Sequence, residues 1–160
     1  MSDTQTNQTE LKQKFWTELA DSPFVFLQRD GEPTSAVPMT AQLDKDADSA
    51  IWFFTTKDND LAKLGNVTAT YTSKDNDLYA RFDGRLTVEE DQGRFEQFWS
   101  NFVKAWYDGG KDDPNLLFLR MDLNEAEIWN ADLSLSTTVK MMMGKDVRED
   151  VQDKHLETSL

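Results

Sequence analysis

Short β-prone runs joined by tight polar turns, one after another, fill the middle of this 160-residue chain and restrict it to a mostly antiparallel sheet. Phe24 to Arg29 leads into Asp30-Gly31, a hairpin signal, and then into a second run from Thr34 to Leu43. Pro38 cannot donate to a ladder, so it predicts an edge position or a bulge for that second run. Ala50 to Thr55 is apolar at successive positions, which predicts a strand buried on both faces. Val67 to Thr72 and Leu78 to Val88 pair across the turn Ser73 to Asp77, with Gly84 marking a kink or bulge. The stretches at 115–123 and 126–130 predict two further strands.

Helical periodicity surrounds these runs. Asn7 with Glu10 fits an N-cap pair, Leu11, Phe15 and Leu19 share one face with Trp16 beside them, and Pro23 ends the segment. A longer helix is predicted from about Asp91 to Tyr107. Its Phe95, Phe98, Trp99, Phe102, Val103 and Trp106 recur at steps of three and four, and Gly109-Gly110 close it. The stripe is most simply core packing, and an exposed edge of it could serve a dimer interface or a ring-shaped ligand. Leu61 and Leu64 predict a short helix with Gly65 as its C-cap. This order predicts a mainly β domain with some α, a small barrel with helices packed outside it. Residues 1–8 are expected to be disordered, 9–135 to form the domain, and 136–160 to be a tail or dimer arm.

Five Trp, ten Phe and three Tyr can build a core, and the apolar runs exceed what one small barrel must cover, which predicts a homodimer. The net charge of −13 argues against nucleic acid and anionic membranes as partners, because both are bound by cations that neutralise phosphates. No cysteine is present, so thiolate chemistry and disulfides are excluded. With no leader-like start and no long apolar stretch, a cytoplasmic protein is the expectation.

Common catalytic motifs are missing. There is no Gly-rich phosphate loop and no Gly-x-Ser-x-Gly, and the lone His155 sits in a polar C-terminal segment. Asp44, Asp46 and Asp48 imitate the start of a calcium loop, but Ser49 and Thr55 stand where glycine and glutamate are needed, so no metal is expected. No catalytic acid or base can be picked out; Tyr79 and Arg81 are the candidate substrate contacts.

The stretch IWFFTTKDNDLAKL, 51–64, is the candidate site. A strand ends at Phe54-Thr55 and a helix is expected shortly after, where free backbone N–H groups attract anions. Thr55, Thr56 and Asn59 supply hydrogen-bonding side chains, and Lys57 and Lys63 supply positive charge. Asp58 and Asp60 oppose an anion, and the plain alternative is that Asp58 is an N-cap with nothing bound.

Four segments carry a family likeness: FVFLQRDGEPTSAVPMT, IWFFTTKDNDLAKL, YARFDGRLTVEED and FWSNFVKAWYDGGKDDPNLLFLRMDLNEAEIWN. In order and spacing the chain resembles the general stress protein 26 group of the pyridoxamine 5′-phosphate oxidase-like flavin-binding split barrels, over roughly residues 9 to 135. The resemblance implies a six-stranded antiparallel split β-barrel flanked by helices, paired into a homodimer with flavin mononucleotide (FMN) between subunits. It places Val37, Pro38, Met39 and Thr40 along the isoalloxazine ring, and Phe54 and Thr55 against ring and ribityl chain. Thr56, Asn59 and the following turn, with Lys63 nearby, would face the phosphate, and Trp129 would approach the ring from the other subunit. Val37 stands where the family has arginine, and Asp60-Leu61 where a basic pair often follows. The implied function is a flavin-dependent oxidoreductase acting in stress. The alternatives are a non-enzymatic stress or interaction protein with weak or lost flavin binding, or a protein for a related ring such as a deazaflavin.

Overall fold

A computed structural model describes residues 3–44, 49–131, 142–144 and 155–160, without the side chains of residues 3–7, 101 and 102. Asp46 and Asp48 of the acidic loop lie outside the described residues, as do 132–141 and 145–154. Helix α1 (Asp3–Asp21) is followed by β1 (Phe24–Arg29), β2 (Val37–Thr40), β3 (Ala50–Thr56), β4 (Gly65–Thr72) and β5 (Leu78–Val88). Two short helices, α2 (Gln92–Phe98) and α3 (Asn101–Lys104), precede β6 (Leu116–Asn130) and β7 (His155–Ser159).

The strands form one sheet in the order β2-β1-β4-β5-β6-β3, with β7 also on β6 and every pairing antiparallel. The end strands meet at one bridge, where Gln42 and Trp52 exchange backbone hydrogen bonds of 2.7 and 2.9 Å. The sheet therefore curls toward closure without completing it, giving a split barrel. Alternation sets its inside: Val67, Ala69 and Tyr71 of β4 face the core while Thr68, Thr70 and Thr72 face away. Leu11, Phe15 and Leu19 of α1 are buried against that core, with Phe15 edge-on to Phe82 at 5.3 Å. Tyr71 Oη lies 2.8 Å from the Glu18 carbonyl and 2.9 Å from that of Ser22, so its hydroxyl donates to the end of α1.

Several expectations are corrected. Helix α1 starts at Asp3, so Asn7 lies inside it and is not its cap. The 34–43 run is a 3-10 turn, Pro33–Ser35, followed by β2, whose end position does accommodate Pro38. The two strands at 115–123 and 126–130 are one strand. Its buried positions switch from odd (Leu119, Met121, Leu123) to even (Ala126, Ile128) across Asn124-Glu125, so a bulge looks like a gap in the pattern. The helix predicted over 91–107 breaks at Trp99, whose extended backbone (ψ 130°) ends α2. Ser100 Oγ then accepts from the Val103 N–H at 3.3 Å, a new N-cap that outcompetes continuation. His155–Ser159 is a strand on β6 and not a free tail, with Leu156 buried in the core. It raises the strand count among the described residues to seven, against the six expected.

The β5–β6 irregularity falls between Phe82 and Gly84. A Cβ at Gly84 would meet the Asp122 carbonyl oxygen at 2.3 Å, and backbone cannot step aside as a side-chain tip can. Gly84→Ala is expected to cost about 1–3 kcal/mol, as overpacking does, measured by urea unfolding. An unchanged midpoint would show that the strands are not this close.

Candidate functional site

The cleft at the end of β3 begins with a strand that has no solvent face. Ile51 and Phe53 point into the barrel core. Ala50, Trp52 and Phe54 point the other way, where α2 and β6 cover them with Phe95, Phe98 and Phe118. Phe54 stacks on Phe118 at 4.6 Å and meets Phe95 and Trp99 edge-on, each at 5.7 Å. Trp99 in turn lies 6.2 Å from Tyr107. The break after α2 swings Val103, Trp106 and Tyr107 over the end of β3 and beside β2.

The result is a cleft of about 360 Å³. Pro38, Met39, Thr40, Phe54, Thr55 and Thr56, six of the residues singled out in the sequence, line it together. Phe24, Gln42, Val103, Trp106 and Tyr107 complete the lining, so no ionisable acid or base other than the Tyr107 phenol faces the space. Of these, Val103 and Trp106 belong to the aromatic stripe whose exposed edge is the lesser sequence candidate for a ring-shaped ligand, while Phe24, Gln42 and Tyr107 are not among the expected site residues. The signal for the break that brings the stripe's end here is Ser100, a capping residue inside an apparently continuous helix. Trp106 is 76% exposed at the rim.

The other four expected residues lie elsewhere. Val37 packs against the barrel core. Asn59, and not Asp58, caps the following segment: its Oδ1 accepts from the Leu61 N–H at 2.9 Å. That segment is only a 3-10 turn, Asp60–Lys63. Lys63 pairs with Asp60 at 3.5 Å, both exposed. Trp129 lines a separate groove with Phe26, Tyr79 and Arg81 on the outer face of the sheet; Phe24 borders both spaces.

His155 stacks on Trp129 at 5.4 Å, and its Nε2 is 2.8 Å from Glu127 Oε1. The ligand atoms of Glu127, His155 and Glu157 lie within 4.8 Å of one another, but Arg81 also pairs with Glu127, which makes this a cross-strand polar cluster. Two tyrosines are strongly perturbed. Burial, then the charge of Asp113, pushes the Tyr107 phenol up to about 12, and burial with the Glu18 charge does the same for Tyr71. Asp58 is held below the usual carboxylate range, first by a hydrogen bond from the Thr56 side chain and also by Asn115.

A curled, unclosed antiparallel sheet with helices outside and a cleft at one strand end is the architecture of the split-barrel proteins. The model of the family described as pyridoxamine 5'-phosphate oxidase like matches residues 10–153, and the chain belongs to that family. The crystal structure of a general stress FMN/FAD binding protein from Xanthomonas citri is 41% identical, with a TM-score of 0.70 over 79% of this chain and 93% of that one. A general stress protein 26 from Jannaschia sp. CCS1 is 26% identical, with a TM-score of 0.73 over 95% of this chain and 98% of that one. General stress protein 26 of Bacillus subtilis (strain 168) is 31% identical over 55 residues, 34% of this chain. The matched stretch spans 39% of that curated relative's length. Among the described residues no helix is long and apolar enough to cross a membrane.

The tyrosines give a pH prediction. A phenol whose folded-state pKa lies above its unfolded value of 10.0 holds its proton more tightly when folded. Its stabilising contribution is complete below that unfolded value and disappears as pH rises toward about 12. Unfolding midpoints are expected to fall over that interval, and Tyr71→Phe with Tyr107→Phe to flatten the fall. An identical slope in the double variant would contradict the burial of both hydroxyls.

Proposed function

We propose that this chain is a flavin-binding protein that holds FMN between two copies of itself and serves in the cytoplasm as a flavin-dependent oxidoreductase of the pyridoxamine 5'-phosphate oxidase-related type during stress. The observation that carries this reading is the convergence of Pro38, Met39, Thr40, Phe54, Thr55 and Thr56 on one uncharged, largely apolar cleft. A planar, mostly apolar ring suits such a space, with Gln42, Thr40 and Thr55 as the polar groups that orient it. The description of the Xanthomonas citri relative as FMN/FAD binding supports the same ligand class.

A bound flavin supplies reversible acceptance of one or two electrons. The protein's part is to orient the ring and keep water from it, since the cleft offers no carboxylate, imidazole or amine and its one phenol, Tyr107, stays protonated well past neutrality. The second copy is argued from the outer face of the sheet. There Phe24 (59% exposed), Phe26 (54%), Tyr79 and Trp129 form an aromatic surface that continues into the cleft through Phe24. Trp129 lies in its own chain's outer groove, so a second copy is the route by which it reaches a ring. The closed state of the turn after β3 favours a second reading, an interaction protein of the same fold with weak flavin binding.

The protein purified without added cofactor is expected to show flavin absorbance, or to quench flavin fluorescence at micromolar concentration, and to sediment as a dimer. Trp106→Ala is expected to weaken binding by about tenfold through lost ring contact. Neither absorbance nor binding would turn the assignment to the second reading, and a monomer at high micromolar concentration would contradict the shared site.

A further inference from the structure

Most of the backbone N–H groups that the turn after β3 offered to a phosphate are already committed inside the chain, and the exposed cation Lys57 stands in sequence between the acids Asp58 and Asp60 and the cleft's uncharged lining. Lys57 N–H donates to the Asn115 carbonyl at 2.9 Å, Asn59 N–H to Thr56 at 3.1 Å, Ala62 N–H to Asn59 at 2.9 Å and Leu64 N–H to Leu61 at 3.0 Å. Leu61 N–H is taken by the Asn59 side chain, which removes both that amide and that carbonyl oxygen. The Thr56 and Asn115 side chains beside Asp58 hold its carboxyl below the usual carboxylate range, so it stays a charged acid at the turn. Lys63 is drawn to Asp60. A four-residue 3-10 turn contributes no aligned helix dipole to offset these losses, and two carboxylates add repulsion. The cleft itself carries no cation in its lining. The ring end of a flavin therefore fits this chain and the phosphate end does not.

We infer that the cleft selects its ligand by the ring alone, and that the turn at 57–63 makes it indifferent to a terminal phosphate, so that riboflavin-type and phosphorylated flavins bind alike. This rests on the reading of the cleft as a flavin site and narrows it. Affinity comes from burying the two ring faces against Phe54, Met39 and the Trp106–Tyr107 segment. A phosphate would remain in water, where it neither gains nor loses much. Asp58 and Asp60 are the residues that set this indifference. Asp58 stays ionised beside Thr56 and Asp60 engages Lys63, and each would repel a dianion brought against the turn.

Fluorescence titrations of the full chain with lumiflavin, riboflavin and FMN separate the claims. Riboflavin and FMN are expected to bind with dissociation constants within about threefold of each other. FMN binding about tenfold or more tightly than riboflavin would overturn the inference and leave the flavin reading intact; no binding of any of the three would overturn the flavin reading itself. Removing both acids (Asp58→Asn with Asp60→Asn) is expected to tighten FMN by more than about threefold and leave riboflavin unchanged. Asp75→Asn with Asp21→Asn, exposed carboxylates in the β4–β5 turn and at the end of α1, controls for the same change in net charge. Equal gains for FMN in the control, or no gain in the double variant, would show that the two acids do not close this turn.

Discussion

The burial of β3 on both faces is the constraint on which the rest of the structure depends. An edge strand of a split sheet would ordinarily present one wet face and a row of unpaired backbone groups. Here the outer face carries Trp52 and Phe54, which demand cover, and α2 supplies it with Phe95 and Phe98. Trp52 is held further by the Arg94 and Arg120 guanidinium groups, 4.8 and 5.4 Å from its ring centre, while its Nε1–H donates to Glu89 at 3.0 Å. Arg94 also pairs with Asp44 at 2.7 Å, which ties α2 to the segment leading into β3. With α2 fixed in this way, the chain that leaves it has to cross the end of β3, and Val103 and Tyr107 are buried there. The cleft is thus a consequence of covering β3, and it is aromatic because the cover is aromatic.

How much of this could be read from residues depended on whether a pattern had one physical cause. β3, β4 and β5 were legible because alternation, or its absence, follows directly from which faces are buried. Gly84 was legible because a glycine within an otherwise regular β pattern points to close backbone approach, and Asp122 is that neighbour. The 91–107 stripe misled because steps of three and four persist across a break when both pieces bury aromatics, and only the capping ability of Ser100 betrays it. The bulge in β6 misled in the opposite sense, since a shift of phase looks like an ending. The last strand was hidden because only Leu156, with help from Leu160, anchors it among polar neighbours; its pairing partner lies more than twenty residues away in sequence, a distance no local pattern spans.

The candidate site divides along the same line. The β2 and β3 residues of the cleft sit on strands whose ends are set by the barrel, so their convergence follows from topology. The turn after β3 is set by competition among short polar side chains. Any of Thr56, Asp58, Asn59 and Asp60 could cap it on composition alone, and each could equally have faced a ligand. Asn59 wins the cap and Asp60 takes Lys63, while Asp58 stays ionised beside Thr56. These local choices turn an apparent anion cradle into a mostly self-satisfied, acidic loop.

Amide chemical-shift mapping on adding lumiflavin, a flavin ring without the ribityl phosphate, tests most directly whether the covered end of β3 is where this protein takes its ligand. Shifts centred on residues 39–42, 54–56 and 103–107, with Trp129 as the second copy's contribution, are predicted. Shifts centred instead on the groove of Thr68, Arg81 and Glu125, or none at all, would contradict the account.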